Sequence, residues 1–316
     1  MINRLVKYLP VLLFVAGILL GLESCNPVFK TVKRQDPAKR KTNPNNPVSV
    51  MITEDIAYGD KWLHQKGIDT LTLKTTDNIL LKGYYLAAST SSKKLAVLIH
   101  GHGADARMMT KYGAMYHNWG YNVFMADARG HGNSGGNYIG SGWLDRIDYL
   151  QWLQLLFEKY GSNQQVILHG ISMGAATTMM MSGEKTLPIQ VKAIIEDAGY
   201  TTIWDVYKHQ MKHSYHIPAF PLLNLASGKT KRKAGYSFHD ADALKQVKKS
   251  QTPILFIHSE ADKQNPVTSV HKLYEAATCP KELLIVPNSL HAMAYHDALE
   301  LYSNTVKSFI EKYIIN

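Results

Sequence analysis

One serine of this sequence stands in a setting that favours nucleophilic chemistry. The apolar run 166–169 leads into Gly170-Ile171-Ser172-Met173-Gly174, and small residues follow it. This pattern predicts a strand, a sharp turn and a helix, with the Ser172 hydroxyl raised above the sheet at a helix N-terminus that favours developing negative charge. The two glycines leave room for a close backbone crossing. Ser172 is therefore the candidate nucleophile.

A serine hydroxyl is a weak nucleophile at neutral pH, so it needs a base that a third group orients. The predicted strand 254–258 leads into a loop that holds Asp262. The next predicted strand, 282–286, leads into a loop that holds His291. Because the carboxyl ends of parallel strands meet at one edge of a sheet, we expect Ser172, Asp262 and His291 to lie together as nucleophile, acid and base.

Other charged groups compete for these roles. Glu260 shares the loop of Asp262, and Asp197 follows another predicted strand, so each is an alternative acid. Asp127 and Arg129 follow a third strand. We interpret this second pair as tying a loop near the site, with a catalytic role as the weaker alternative.

The same chemistry requires backbone N–H groups that stabilise an oxyanion. Met173 directly follows the candidate nucleophile and supplies one donor. The other is expected from the segment His100-Gly101-His102-Gly103, which follows the predicted strand 95–100. His102 N–H is the first choice there, and Gly103 N–H is the alternative.

The elements that must position these groups alternate between strand and helix. Short runs that are apolar on both faces are typical of buried parallel strands. They occupy residues 95–100, 121–126, 166–169, 191–195, 254–258 and 282–286, and an antiparallel pair is predicted at 69–74 and 80–86. Helical periodicity is found at residues 49–65, 108–119, 143–157 and 299–313. The alternation predicts an α/β fold with a mostly parallel central sheet and helices on both faces.

One insertion interrupts this alternation. Residues 201–247 separate two predicted strands by more than an ordinary crossover needs, so we interpret them as a small helical cap. Between residues 205 and 233 this cap has six Lys and Arg residues and only one acidic residue, Asp205. A solvated charged face explains them simply, whereas contact with an anionic lipid surface or an acidic substrate is the sharper hypothesis.

From about residue 69 to the C-terminus, the chain resembles the α/β-hydrolase superfamily, in particular small bacterial serine esterases and prolyl-oligopeptidase-like hydrolases. The resemblance is carried by residues 100–103, 127–135, 169–176, 258–262 and 290–292. It implies an acyl-enzyme mechanism without metal or organic cofactor, with Ser172, Asp262 and His291 in the triad positions. Ser259 and the Ser289-Leu290 pair depart from the pattern, since glycine is usual at both places.

The N-terminus carries features of export. Residues 9–22 lack charge and follow Arg4 and Lys7, but they are shorter than the ~20 residues of a spanning helix. Residues 1–25 therefore predict a signal peptide, with an uncleaved anchor as the alternative. The sequence Leu22-Glu23-Ser24-Cys25 resembles a bacterial lipobox in spite of Glu23, which makes Cys25 a candidate for lipidation.

A basic tether with Pro and Asn residues is predicted at residues 26–48, before a hydrolase domain at 49–316. The formal net charge is +10, and residues 1–41 alone hold eight basic and two acidic residues. Because this excess lies ahead of the predicted domain, it argues against nucleic-acid binding. We expect a protein that is exported and associated with the cell membrane.

Two further patterns suggest ligands. A partial dinucleotide-binding fingerprint is formed by Gly101-x-Gly103-x-x-Ala106 and the later Asp127. A nucleotide site would leave Ser172, Asp262 and His291 without a role. His209, His213 and His216 are metal-ligand types, but no carboxylate or thiol nearby completes a set, so we predict no metal. Met179, Met180 and Met181 are expected to pack in the core.

The sequence therefore predicts a serine hydrolase that acts on small carboxylic esters, with short or medium acyl chains favoured by the compact cap. A peptidase, amidase or acyltransferase with the same triad is an alternative, as is a binding module without activity.

Overall fold

The computed structural model describes residues 27–34, 43–64 and 67–315. The predicted signal peptide and Cys25 lie outside these residues. Within them, eight strands form one sheet in the order β1-β2-β4-β3-β5-β6-β7-β8. The strands are β1 (Ile68–Lys74), β2 (Leu80–Leu86), β3 (Lys94–Ile99), β4 (Asn122–Ala126), β5 (Gln165–Ile171), β6 (Val191–Asp197), β7 (Ile254–Ser259) and β8 (Lys281–Val286).

The pairing of these strands confirms the predicted sheet. β1 pairs with β2, and β2 with β4, in antiparallel orientation. Every later pair, from β4 across to β8, is parallel. The carboxyl ends of β3 to β8 therefore share one edge.

Helices cover both faces, as predicted. They are α1 (Pro27–Val32), α2 (Pro47–Leu63), α3 (Thr110–Asn118), α4 (Asp145–Tyr160), α5 (Met173–Ser182), α6 (Ile203–His213), α7 (Leu222–Ala234), α8 (Ala243–Val247), α9 (Thr268–Ala276), α10 (Ala294–Asp297) and α11 (Leu299–Ile310), and a 3-10 turn lies at Ala106–Met109. The bounds differ from the predicted ones by a few residues at most, except at the N-terminus.

The core is divided into two halves by the sheet. Along β3, Leu95, Val97 and Ile99 belong to the cluster under α4, α5 and the cap. Ala96 and Leu98, which alternate with them, belong to the cluster under α3 and α11. Since successive side chains of a strand point to opposite faces, a run that is apolar throughout buries area on both sides.

The helix that follows the candidate nucleophile lies deep in this core. Met179, Met180 and Met181 on α5 are fully buried, which confirms the prediction that they pack in the core. Their burial fixes α5, and with it the turn at its N-terminus, against the sheet. Burying a side chain of this size contributes about 1.5–3 kcal/mol.

The insertion at 201–247 contains α6, α7 and α8. The side chain of Thr202 caps α6 by accepting a hydrogen bond from Asp205 N–H at 2.9 Å. Ile203, Tyr207 and Met211 recur at the helical spacing of four and are buried, so α6 faces inward along one stripe.

The N-terminal part of the described chain differs from the predicted tether at 26–48. α1 buries Val28, Phe29 and Val32 against the domain, because these residues form one apolar face of the short helix. Val32 O accepts a hydrogen bond from Ile139 N–H at 2.8 Å. Residues 27–34 are therefore part of the folded domain.

The next helix, α2, also starts before the predicted boundary at residue 49. It begins at Pro47, where the Asn46 side chain accepts hydrogen bonds from Val48 N–H and Ser49 N–H. No helix among the described residues is long and apolar enough to cross a membrane.

Candidate active site

Ser172 occupies the sharp turn between β5 and α5. Its φ of 55° and ψ of −111° are unusual for a residue with a side chain, and such strained conformations concentrate at functional sites. Ser172 N–H donates a 2.7 Å hydrogen bond to Asp197 O at the end of β6. The turn is thus held by the neighbouring strand, and the Ser172 hydroxyl lies at the carboxyl edge of the sheet.

The two glycines of the motif are required by close backbone crossings. A Cβ atom on Gly174 would lie 1.9 Å from Ile99 O, and one on Gly170 would lie 2.2 Å from Gly174 O. Neither neighbour is a flexible side chain, so neither can move aside without shifting a strand or a helix.

Replacement of Gly174 by alanine is therefore expected to lower the free energy of unfolding by about 3 kcal/mol. Gly228, in the interior of α7, is the matched control, because a Cβ there would meet only Arg232 Nη1 at 3.7 Å. Gly228→Ala is expected to be neutral or to stabilise by about 0.5–1 kcal/mol. Urea unfolding measures both variants, and equal stability of the two would contradict this explanation of the motif.

The three side chains expected to meet do lie together. Ser172 Oγ is 2.9 Å from His291 Nε2, and His291 Nδ1 is 2.6 Å from Asp262 Oδ2. A carboxylate only accepts hydrogen bonds, so Nδ1–H donates to Asp262 and Nε2 is left to accept the Ser172 proton. The Asp262 side chain is fully buried, and 12% of the His291 side chain is exposed.

Backbone amides fix the orientation of Asp262. Its Oδ1 accepts hydrogen bonds from Gln264 N–H at 2.8 Å and from Asn265 N–H at 2.9 Å, so Oδ2 faces His291. Beneath it, His258 Nε2 donates to Asn265 O at 2.8 Å and lies 3.5 Å from Asp262 Oδ2. Burial lowers the pKa of His258, which favours its neutral form.

The two alternative acids have other partners. Glu260 is exposed, and its Oε2 accepts a hydrogen bond from Asn288 N–H at 3.1 Å. Asp197 is buried behind the site and accepts a 2.9 Å hydrogen bond from Tyr302 OH. Burial raises the pKa of Asp197 to about 7. The geometry therefore brings Asp262, and neither alternative, to His291 Nδ1.

Asp127 and Arg129 hold loops in place, as we interpreted them. The Asp127 carboxylate accepts hydrogen bonds from Ala106 N–H at 2.8 Å and Asn133 N–H at 2.7 Å. Arg129 makes a bidentate contact with Asp148 at 2.6 and 2.7 Å. Both side chains of the pair are buried, so the loop after β4 is rigidly fixed beside the site.

The oxyanion candidates border the same cavity as Ser172. Met173 is the first residue of α5, so its N–H has no acceptor within the helix. Gly103 N–H already donates to His131 Nε2 at 3.1 Å, which favours His102 N–H over Gly103 N–H as the candidate donor from this loop. A Cβ on Gly101 would lie 3.3 Å from Ser172 Cβ, so the loop passes directly against the nucleophile.

The amides of the partial dinucleotide fingerprint are engaged within the protein. Gly103 N–H is bound to His131, and Ala106 N–H is bound to the Asp127 carboxylate. The chain then enters a 3-10 turn of four residues. These amides are therefore not arranged as a helix N-terminus that cradles a pyrophosphate.

The cap histidines make contacts within the protein. His209 Nε2 donates to Lys263 O at 3.1 Å, and the ring of His209 packs 4.4 Å from that of His213. Across the part of the chain that the structure describes, no group of three or more metal-ligand residues is found.

A cavity of about 300 Å³ lies over Ser172 and His291. Most of its wall is apolar, and α6 of the cap contributes Ile203, Val206 and Tyr207. The sequence did not indicate the other walls, which come from Thr31 of α1 and from Met51, Ile52 and other residues of α2. The sequence predicts a helix at 49–65, but nothing in it indicates that this helix packs over the site.

Comparisons with known proteins agree with this architecture. The sequence model of the prolyl oligopeptidase family matches residues 108–316. The protein YqkD of Bacillus subtilis is 30% identical over 231 residues, which cover 73% of this chain and 75% of YqkD.

Solved structures share the fold. The Pyrococcus furiosus esterase Pf2001 superimposes with a TM-score of 0.65 at 20% identity, covering 87% of this chain and 97% of the esterase. Est1E of Butyrivibrio proteoclasticus, solved with ferulic acid bound, gives 0.62 at 19% identity, covering 77% of this chain and 98% of Est1E.

Proposed function

Because this chain belongs to the prolyl oligopeptidase family, within the α/β-hydrolases, we propose that it is a serine hydrolase that cleaves small carboxylic esters. One observation carries the proposal. The hydrogen-bonded line from Ser172 through His291 to Asp262 ends in a largely apolar cavity that can receive an acyl group.

Each residue of this line has a definite task in the proposed mechanism. Ser172 Oγ attacks the ester carbonyl while His291 Nε2 accepts its proton, and Asp262 orients the imidazole and stabilises its charged form. The amides of Met173 and His102 hold the oxyanion. His291 then protonates the leaving alcohol, and an acyl group remains on Ser172 until water, activated by His291, releases the acid.

The cavity and the structural neighbours both support an ester of modest size. Pf2001 is described as an esterase, and Est1E binds a carboxylic acid. A cavity of about 300 Å³ is at the small end of ligand sites, so we expect a short or medium acyl chain.

The experiment is a substrate series on the full chain. Among p-nitrophenyl esters, we expect turnover that is highest for acyl chains of roughly four to eight carbons and falls for longer ones. The family name favours a second candidate, hydrolysis of peptide bonds, and p-nitroanilides of short peptides test it in the same assay. Turnover of the anilides without turnover of any ester would overturn the ester proposal.

We also propose that the protein is exported and works at a membrane surface. In the sequence, four residues separate the apolar run 9–22 from Pro27, the first residue of α1. α1 in turn packs against α7, where Lys229 Nζ lies 4.7 Å from the centre of the Phe29 ring. The exposed end of α7 beside it carries three basic residues, Lys231, Arg232 and Lys233, which we call the basic patch.

An anionic membrane is expected to attract this basic patch. Full-length protein should bind vesicles with about one third anionic lipid roughly tenfold more tightly than neutral vesicles, and changing the three residues to Gln should remove most of this gain. Lys245, Lys248 and Lys249, also exposed, provide a control triple with the same change of charge. Equal loss in both triples would show a general charge effect and contradict the role of the patch.

A further inference from the structure

We propose that residues 27–34, which we call the N-terminal strap, are a positioning element of the active site that joins the oxyanion loop to the cap through Thr31. This inference rests on the proposed function, since it concerns how the catalytic groups are held. Thr31 lies between the two elements, and it lines the cavity together with His102 and Tyr207.

The first half of the link is a hydrogen bond to the oxyanion loop. His102 Nε2 lies 2.9 Å from Thr31 O. A carbonyl oxygen only accepts, so Nε2 carries the proton and donates. His102 also bears the backbone N–H that we assign to the oxyanion hole, and a fixed side chain restricts the rotation of that backbone. Oxyanion donors act through preorganised positions, so this restriction affects the reaction directly.

The second half of the link reaches the cap. Thr31 Oγ1 is 2.7 Å from Val28 O and 3.0 Å from the Tyr207 hydroxyl. The Thr31 hydroxyl donates to Val28 O and also hydrogen-bonds the Tyr207 hydroxyl, which has a second hydroxyl partner in Ser141. Tyr207 is 5% exposed and forms part of the cavity wall on α6. The position of this wall therefore depends on Thr31.

The strap is itself firmly held. The Arg34 guanidinium donates to Ser134 O and, at 2.7 Å, to Gly132 O. Val32 O accepts from Ile139 N–H at 2.8 Å, and the buried apolar residues of α1 pack below. A bond from Thr31 to His102 or Tyr207 is thus made to a fixed point.

Purely structural packing would not require this arrangement. Burial of the apolar face of α1 alone would hold residues 27–34 on the domain without polar contacts to the cavity wall. The strap instead places one residue between the loop that supplies an oxyanion donor and the helix that closes the cavity, and both must keep their positions relative to Ser172. We therefore expect the strap to act on turnover more than on stability.

The test uses three changes in the full-length chain, with esters as substrates. Thr31→Val removes the hydroxyl and keeps the branched shape, and we expect kcat to fall roughly fivefold or more. Thr31→Ser keeps the hydroxyl and is expected to stay within about twofold of the wild type. Tyr207→Phe removes the same bond from the cap side, so it tests the link even where a Thr31 variant fails to fold.

Two comparisons separate positioning from general destabilisation. Thr305→Val on α11 is the matched control, because the Thr305 hydroxyl donates to Leu301 O in a similar local bond away from the site. We expect the control to keep the wild-type kcat. The double variant Thr31→Val, Tyr207→Phe is expected to lose less activity than the two single losses combined, since both changes remove the bond between Thr31 and Tyr207.

The outcomes are distinct. If the wild type is active, either of two results would overturn this inference alone. The first is a Thr31→Val variant with unchanged kcat, and the second is a Thr31→Ser variant that loses as much kcat as Thr31→Val. Additive losses in the double variant would overturn it as well. A folded wild type that hydrolyses no ester would overturn the proposed function, and this inference with it.

Discussion

Ser172→Ala is expected to lower kcat for ester hydrolysis by a factor on the order of 10⁴ to 10⁶. The change removes the only atom that would form a bond to the substrate, while the cavity and the oxyanion donors remain. Alanine at this turn differs from serine only by the missing hydroxyl oxygen, so the folded state should persist. The measurement compares initial rates on the best p-nitrophenyl ester, with circular dichroism as the check on folding.

Ser308→Ala is the matched control, because Ser308 is an exposed serine on α11. It should retain the wild-type rate. A Ser172→Ala variant that hydrolyses esters at a rate close to that of the wild type would show that another group performs the attack.

Asp262→Asn is expected to lower kcat by a factor of about 10⁴. The amide oxygen of the variant would still accept the hydrogen bonds from Gln264 and Asn265 N–H, so its NH₂ group would face His291 Nδ1. Nδ1 must then accept this hydrogen bond, so the imidazole proton lies on Nε2. A protonated Nε2 cannot accept the proton of Ser172. The initial rate of ester hydrolysis, measured as for Ser172→Ala, gives the size of the loss.

Glu260→Gln changes an acid of the same loop without altering the tautomer of His291. Glu260 is exposed two residues before Asp262 and bonds Asn288 N–H. Its variant should lose less than about threefold in rate, in keeping with a surface change. A larger loss for Glu260→Gln than for Asp262→Asn would exchange the roles of the two acids.

Local chemistry made much of the site predictable from the sequence. The turn at Ser172 has a short sequence pattern, because its glycines are required by the close backbone crossings that any such turn makes. The strands were readable because parallel strands buried on both faces need continuous apolar runs. Once the strands are in order, the loops that hold Asp262 and His291 must reach one edge of the sheet.

Features that depend on three-dimensional contacts were not readable. The choice between Asp262 and Glu260 is made by two backbone amides that turn one carboxylate toward His291, and residue types do not reveal that orientation. The sequence predicts a tether at the strap because the residues around the strap are basic and polar. Its three apolar residues, Val28, Phe29 and Val32, are too few to show a period, and their burial depends on partners more than 100 residues away.

The most direct test of the central claim is covalent labelling of the full-length protein with a fluorophosphonate, followed by mass spectrometry of its peptides. We expect one adduct on Ser172, formed because His291 activates the hydroxyl and the oxyanion donors receive the phosphoryl oxygen. The adduct should be absent from Ser172→Ala. A folded protein that carries no adduct, or carries it on another residue, would contradict the assignment of Ser172 as the nucleophile.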